Sequence, residues 1–441
     1  MRLIHNPRAR TIFLVLTFAT LLAGDAWRYT IGWTGFAVVV GLLAAASVAL
    51  LVIQRSRWRL GSLPYPLIAF LALCVLSIAW SFYPGASALG ASVTLFTAVG
   101  AVAAAVTFSW SEIVRGLGLA LRIVLGLSLV FEFVVAAFIR RPVLPPVPEP
   151  GIDYANLPDK IPQMLYWSRN ELFEVLDGGK IQGIVGNSVL LSFVALVGLI
   201  VFAVQAFDHT VKRRWSILWI AIAGLCFVFS RSATNIVGLV AVAIVVAAVL
   251  LIRAAPTPRQ RTTRYLAIIA GVVAVVAVAV VFSRQVLAML GKSPDLTNRA
   301  QIWHDVTELA QQRPAFGWGW VSYWVPWVAP FDHLAENNGV RQLHAHNAWL
   351  DVWLQLGILG LIVFGALVLS TIVRTWSLAT DRQLSAPGIT TPYTAVALLP
   401  LLLMTALVVQ SVAESRLLVE FGLFALVLLA VKTKSPEAVR P

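Results

Sequence analysis

Charge is scarce in this chain. Asp, Glu, Lys and Arg make up 12% of its 441 residues, histidine occurs six times and cysteine twice. With so little charge there is no room for a soluble domain of ordinary size, and the polar sequence falls mainly in two stretches, 140–183 and 284–346. Cys74 and Cys226 both lie in apolar runs, so no disulfide staples either stretch. A glycine-rich phosphate cradle and an aspartate-rich metal motif are missing as well, which sets nucleotide-driven chemistry aside. Apolar sequence dominates instead: 59% hydrophobic residues, arranged in repeated runs of the length a helix needs to cross a bilayer core of roughly 30 Å. The composition specifies an all-α polytopic membrane protein, a single membrane domain over 1–441.

The apolar runs place twelve spans, at about 11–27, 30–53, 63–82, 86–109, 117–139, 184–207, 215–230, 234–252, 265–283, 347–372, 393–411 and 416–432. The first follows Arg2, Arg8 and Arg10 without a small-residue cleavage pattern and is expected to stay as an anchor. Basic residues gather in alternate loops: Arg55, Arg57 and Arg59; Lys212, Arg213 and Arg214; Arg253, Arg259, Arg261 and Arg264; Lys432 and Lys434. By the positive-inside rule these loops and both termini are cytoplasmic, and 140–183 and 284–346 become two long outer loops. The net charge of +13 is then a topology signal and not a nucleic-acid footprint.

In the first outer loop Pro142, Pro145, Pro146, Pro148 and Pro150 favour an extended start. From Ile161 to Leu176, Leu165, Leu172 and Leu176 share one helical face, and Gly178-Gly179 can end the helix. Such a helix either rests on the membrane surface or walls a cavity, with Arg169 or Lys180 turned towards an anionic ligand. In the second loop, 298–312 reads as an amphipathic helix with Ile302, Val306, Leu309 and Ala310 on its apolar face, Thr297 as N-cap and Pro314 past its end. Arg299, one turn before Trp303, either stacks on that indole or holds a phosphate at the helix start. Six aromatics lie between Phe316 and Trp327. They suit an interfacial belt, or, through Trp320 and Trp324, a platform on which sugar rings stack.

Four of the six histidines fall in this second loop, which ends in His344-Ala345-His346-Asn347 directly before an apolar run. With Asp332, His333 and Glu336 nearby they invite a metal reading, but no carboxylate has the fixed offset of a helical zinc motif, and none is assigned. One histidine suffices as a general base near neutral pH. Beyond it Asn347, Asp351 and Gln355 recur every four residues, a polar stripe that should face the bundle interior or a wet cavity. Asn347 has a competing role as helix N-cap. Glu132, and Glu414 beside Arg416, are weaker candidates of the same type.

Ser230-Arg231-Ser232 lies between two spans. Asn298-Arg299-Ala300-Gln301-Ile302-Trp303 is followed by Arg313-Pro314-Ala315-Phe316-Gly317-Trp318-Gly319, then by His346-Asn347 with Leu350 and Gly357-Ile358-Leu359-Gly360. In this order on a twelve-span chain, these motifs resemble the O-antigen ligase and polymerase superfamily over about residues 180–362. The resemblance implies metal-free, cofactor-free transfer of a glycan from undecaprenyl pyrophosphate to an acceptor hydroxyl, on the outer face of the bacterial cytoplasmic membrane. The implied partners are the lipid-linked donor, a lipid or cell-wall glycan acceptor and the membrane lipids.

By that resemblance His346 activates the acceptor, while Arg231 and Arg299 hold the pyrophosphate. The anomeric centre would invert, and no general acid would be needed. Where many relatives carry an arginine, this chain has Lys180 before Gln182-Gly183, and either Lys180 or Arg169 takes that role. Ligation, repeat-unit polymerisation and protein glycosylation share the motifs; the modest second loop leans towards ligation over protein glycosylation, with repeat-unit polymerisation as the alternative within the family. A proton-coupled transporter or flippase is the alternative outside the family, and Glu132 is the residue that favours it.

Overall fold

The computed structural model describes residues 6–434 apart from 57, 149–151, 153, 155–156, 158–160, 282–284, 286–298, 338–339, 383, 387–388 and 391. In chain order its α-helices are α1 (Pro7–Leu22), α2 (Gly24–Ile53), α3 (Tyr65–Leu76), α4 (Pro84–Thr107), α5 (Trp110–Val134), α6 (Ser188–Phe207) and α7 (Arg213–Phe229). There follow α8 (Ala233–Arg253), α9 (Pro258–Val281), α10 (Arg299–Gln311), α11 (Ala348–Thr380), α12 (Leu399–Ser411) and α13 (Glu420–Lys432). Two small hairpins pair Glu336–Asn337 with Val340–Arg341, and Leu384–Ala386 with Ile389–Thr390.

Each of the twelve apolar runs carries a helix, and six helices are long and apolar enough to cross a membrane: Gly24–Ile53, Pro84–Thr107, Trp110–Ile139, Ser188–Phe207, Ala233–Arg253 and Ala348–Thr380. Large apolar side chains such as Val38, Leu42 and Val52 on α2 are exposed, as expected where lipid is the solvent. The chain is a helical membrane protein. Its central helix is α6, which packs on α7 and α5, while α4 lies against α13 and α2, α3 against α11, and α8 against α12. Small residues allow these close approaches: Ala98, Ala101, Ala103, Ala104 and Ala105 on α4 are all buried.

The break in α11 positions the functional region. At Gly357 the backbone leaves helical geometry (φ 66°), which frees amide groups that cannot be left bare in an apolar setting. The segment after α10 satisfies them. Ile358 and Leu359 N–H donate to Pro314 and Ala315 carbonyls (2.8 and 3.2 Å), and Trp318 and Gly319 N–H donate to Leu354 and Gln355 carbonyls (both 2.9 Å). A Cβ on Gly357 would lie 2.3 Å from the Ala315 carbonyl, and one on Gly317 (φ 68°) 2.4 Å from that of Gln355. Glycine at both positions is thus the condition for two backbones to lock together.

The helix expected over 298–312 is present as α10, with Ile302, Val306, Leu309 and Ala310 all buried. Its expected cap, Thr297, lies outside the described residues. The helix expected over 161–176 does not form. In its place are two 3-10 turns, Gln163–Leu165 and Leu172–Glu174, separated by extended backbone in which Ser168 bridges to Val143. Asn170 takes a positive φ of 62°, which no helix tolerates, and Leu176 is left 91% exposed. Glu132 on α5 fixes this segment instead, accepting from Ser168 Oγ (2.7 Å), Gln182 N (2.8 Å) and Gly183 N (2.7 Å).

Candidate active site

His346 lies two residues before α11, next to its cap. Its backbone is left-handed (φ 51°), and the next residue, Asn347, caps the helix, its Oδ1 accepting from Trp349 and Leu350 N–H at 3.0 and 3.2 Å. The turn swings the His346 ring off the helix axis and onto the junction between α12 and α13. There Nδ1 lies 3.1 Å from Glu414 Oε2, and Nε2 faces the Gln342 amide with Oε1 at 3.1 Å. The other Glu414 oxygen accepts from the Arg299 guanidinium at 2.6 Å. One carboxylate therefore holds both the histidine and the arginine that the sequence singles out. It is 9% exposed, against 21% for His346 and 20% for Arg299, so the anion is closed in while its two partners keep an open face.

Asp351, one turn into α11, sets this register. Its Oδ2 accepts from Ala345 N–H at 3.1 Å and from the Ser415 hydroxyl, so it grips the neighbour of His346 and the neighbour of Glu414 at once. Gln355, the next residue of the stripe, accepts from Val321 and Ser322 N–H (2.8 and 3.0 Å) and donates to the Ser322 carbonyl (3.2 Å). The stripe does face inward as expected. What it meets is packed loop backbone, with both Asp351 and Gln355 fully buried.

Electrostatics follow from the contacts. Burial pushes the Glu414 carboxyl up, but His346 and Arg299 outweigh it and bring it down to about 2, so the group is an anion throughout the physiological range. His344 packs between Tyr323 (5.3 Å) and, edge-on, His346 (4.1 Å), and burial, reinforced by the neighbouring imidazole, drives its pKa well below the ordinary value. A neutral His344 suits its one directional contact, in which Nδ1 accepts from His346 N–H at 3.0 Å. With Nδ1–H donating to Glu414, the nitrogen of the neutral ring that can take a proton is Nε2, which faces the Gln342 amide.

Arg299 does not stack on Trp303, whose Nε1–H donates to the Ala345 carbonyl at 3.0 Å. Trp320 and Trp324 are not a sugar platform. Both are buried: Trp320 packs on Phe70 with its Nε1–H on Thr94 Oγ1 (2.9 Å), and Trp324 stacks on Phe331. Six aromatics in a row looked interfacial because composition cannot tell which rings a folded loop turns inward.

The 140–183 segment comes close through its first turn, where the Gln342 amide that faces His346 also reaches Met164 Sδ (3.9 Å). Arg169 braces that turn, donating to the Gln163 carbonyl and side chain at 3.1 and 3.2 Å. Arg231, with φ 49° between α7 and α8, donates instead to the Val175 carbonyl at 3.0 Å, and Lys180 N–H to the Glu171 carboxylate at 2.9 Å. Gln342 was not singled out by sequence, and nothing in its spacing marks it.

His344, His346 and Glu414 bring one ligand atom each within 4.8 Å of one another, a donor set of the kind zinc accepts. The bonding opposes a dication. Both Glu414 oxygens are engaged, one by a guanidinium at 2.6 Å, and His344 Nδ1 is occupied by a backbone donor. The chemistry this arrangement does support is proton abstraction at Nε2 beside a cation.

Comparison with known proteins agrees with the geometry. Residues 217–365 match the family model described as O-antigen ligase. Over 160 residues the chain is 30% identical to the exopolysaccharide production protein ExoQ of Rhizobium meliloti (strain 1021), a match covering 33% of this chain and 36% of that protein. The chain thus spans about a third of the length of that relative. The matched stretch, about a third of the chain, holds Arg231, Arg299, Gln342 and His346, and over it the chain is similar to the O-antigen ligase family.

Proposed function

We propose that this protein is a membrane glycosyltransferase that moves a glycan from a polyprenyl pyrophosphate, of the undecaprenyl class, to an acceptor hydroxyl. The observation that carries the proposal is the His346 ring, held at Nδ1 by a buried carboxylate that also binds Arg299, with Nε2 turned to the Gln342 amide. The acceptor hydroxyl takes the place of the Gln342 amide at Nε2 and gives up its proton there. The oxygen attacks the anomeric carbon, the bond to the pyrophosphate breaks, and the configuration inverts. The leaving group is already a stable anion, so no general acid is needed. Arg299, whose fork can serve Glu414 and a phosphate together, and Arg231 offset its charge, each preorganised donor being worth about 3 kcal/mol. Arg169 acts through the Met164 turn that roofs Gln342, and Lys180 is the remaining cation for the pyrophosphate.

We place the reaction on the outer face of the cytoplasmic membrane, with twelve spans, cytoplasmic termini and 140–183 and 284–346 outside. That sidedness rests on the clustering of basic residues in the alternate loops. Ligation is the first form of this function, in line with the family model described as O-antigen ligase, and repeat-unit polymerisation is the second. Transport is less well supported than either. Glu132, its one intramembrane advocate, is spent on holding the 163–183 segment.

Reconstitution of the purified chain with a synthetic undecaprenyl-pyrophosphate glycan and envelope lipids tests the proposal. Wild type is expected to consume the donor with or without a chelator, and His346→Ala to lose transfer while remaining folded. Retained activity in His346→Ala, or loss with chelator, refutes the mechanism.

A further inference from the structure

Arg313 follows α10 and opens the segment that plugs the α11 break. Its guanidinium lies 3.7 Å from the ring centre of Phe82 and 5.3 Å from that of Trp318, and no carboxylate or hydrogen-bond acceptor engages it among the described residues. Beside it is a recess of about 400 Å³, open to one side and lined by Trp80, Arg313, Pro314, Ala315, Phe316 and Gly317. Apart from the guanidinium, the recess wall is apolar.

Depth is what makes this combination informative. Pro314 and Ala315 bond to Ile358 and Leu359, and Trp80, at the end of the apolar run 63–82, donates to the Phe316 carbonyl at 3.0 Å, so the recess lies at the expected outer end of that span, where headgroups meet the apolar core. Ile358, Leu359 and Ile362 at that level are exposed apolar side chains on a membrane helix, and lipid is therefore their solvent. Arg313, on which no carboxylate sits among the described residues, is there placed to take a negative headgroup. Nor does the active site supply the anion, because α10 separates Arg313 from Arg299 by about 20 Å.

We propose that Arg313 and this recess bind an anionic phospholipid, the headgroup phosphate on the guanidinium fork and the first part of one acyl chain against Trp80 and Phe316. A phosphate offers the paired oxygens that the fork matches, and a net anionic headgroup brings no ammonium to oppose it. The site is independent of the transfer reaction assigned to His346.

Native mass spectrometry of the full-length protein, delipidated in detergent and titrated with phosphatidylglycerol or phosphatidylcholine of identical chains, tests this. Wild type is expected to retain one phosphatidylglycerol with a preference of about fivefold, the ratio commanded by one basic residue near a membrane surface. Arg313→Gln should erase the preference, Arg313→Lys should keep part of it, and Ala315→Trp, which fills the recess and leaves the charge, should lower retention. Equal retention of both lipids by wild type overturns the proposal, as does an unchanged preference in a folded Arg313→Gln or, if that variant does not fold, in Ala315→Trp. Displacement of phosphatidylglycerol by an equimolar polyprenyl phosphate would also overturn it, since the recess would then belong to the glycan carrier.

Discussion

Glu414→Gln removes one charge and almost nothing else, so its effect on stability and on transfer can be worked from the site. In the folded protein, burial opposes the carboxylate and His346 and Arg299 restore it, lowering its pKa from 4.5 to about 2. At 1.36 kcal/mol per unit, that difference contributes about 3 kcal/mol to stability at neutral pH. The folded value is the depressed one, so this stability is present above the ordinary carboxylate pKa and is lost as pH falls from about 4.5 to about 2. Glutamine has no such term. The variant should unfold at lower temperature than wild type at pH 7, and the gap should close towards pH 3 in a detergent thermal melt.

On transfer the effect is larger, because an amide can donate to Nδ1 and so hold the His346 proton on Nε2, where the base is needed. The same inversion of a histidine tautomer costs about 10⁴-fold in the serine protease triad, and a loss between about 10² and 10⁴ is expected here. Glu414→Asp should recover part of it, which a purely structural role would not predict. A Glu414→Gln protein that transfers glycan within about threefold of the wild-type kcat would refute the positioning role of Glu414.

Asp351→Asn should leave the fold inserted yet lower kcat more than KM in the transfer assay, because the staple between Ala345 and Ser415 loosens the spacing of His346 and Glu414. Gly357→Ala should cost about 1–3 kcal/mol from the backbone conformation alone and more from the Ala315 backbone 2.3 Å from its Cβ, read as a fall in melting temperature and in yield. Glu132→Gln should speed hydrogen exchange at Gln182 and Gly183, whose amides each lose a charge-assisted bond worth roughly 1.5–3 kcal/mol, and exchange unchanged there would mean that other contacts hold the segment.

How much of this was legible beforehand depends on whether a feature is local. Apolar runs and the face of α10 are local patterns, and Ile302, Val306, Leu309 and Ala310 are buried as their spacing required. The polar stripe of α11 was legible as inward-facing, but its partners were not, since Ala345, Ser415 and Val321 reach it only through the tertiary fold. Glu414 could be noticed as a carboxylate between spans, yet its bond to a histidine 68 residues away has no sequence period. The 161–176 helix failed because long-range contacts to Val143 and Glu132 outcompeted a weak local periodicity. Trp320 and Trp324 failed for the converse reason: an aromatic cluster looks the same whether it lines an interface or fills a core.

The break at Gly357 bears on transport as well as on folding. Discontinuous helices in transporters leave backbone groups to line a cavity at the midplane, where ions and substrates use them. Here Pro314, Ala315, Trp318 and Gly319 take up those groups, and this plug is the same chain that joins α10, with Arg299, to the loop that ends in His346. Locking the break therefore locks the loop, and Asp351 and Gln355 on the same half-helix tie it down at two more points. A hinge for alternating access would need these contacts to be exchanged, with buried donors left bare at each cycle. A base and a cation that must meet one hydroxyl and one pyrophosphate in a fixed line gain from their permanence, and that favours glycosyl transfer.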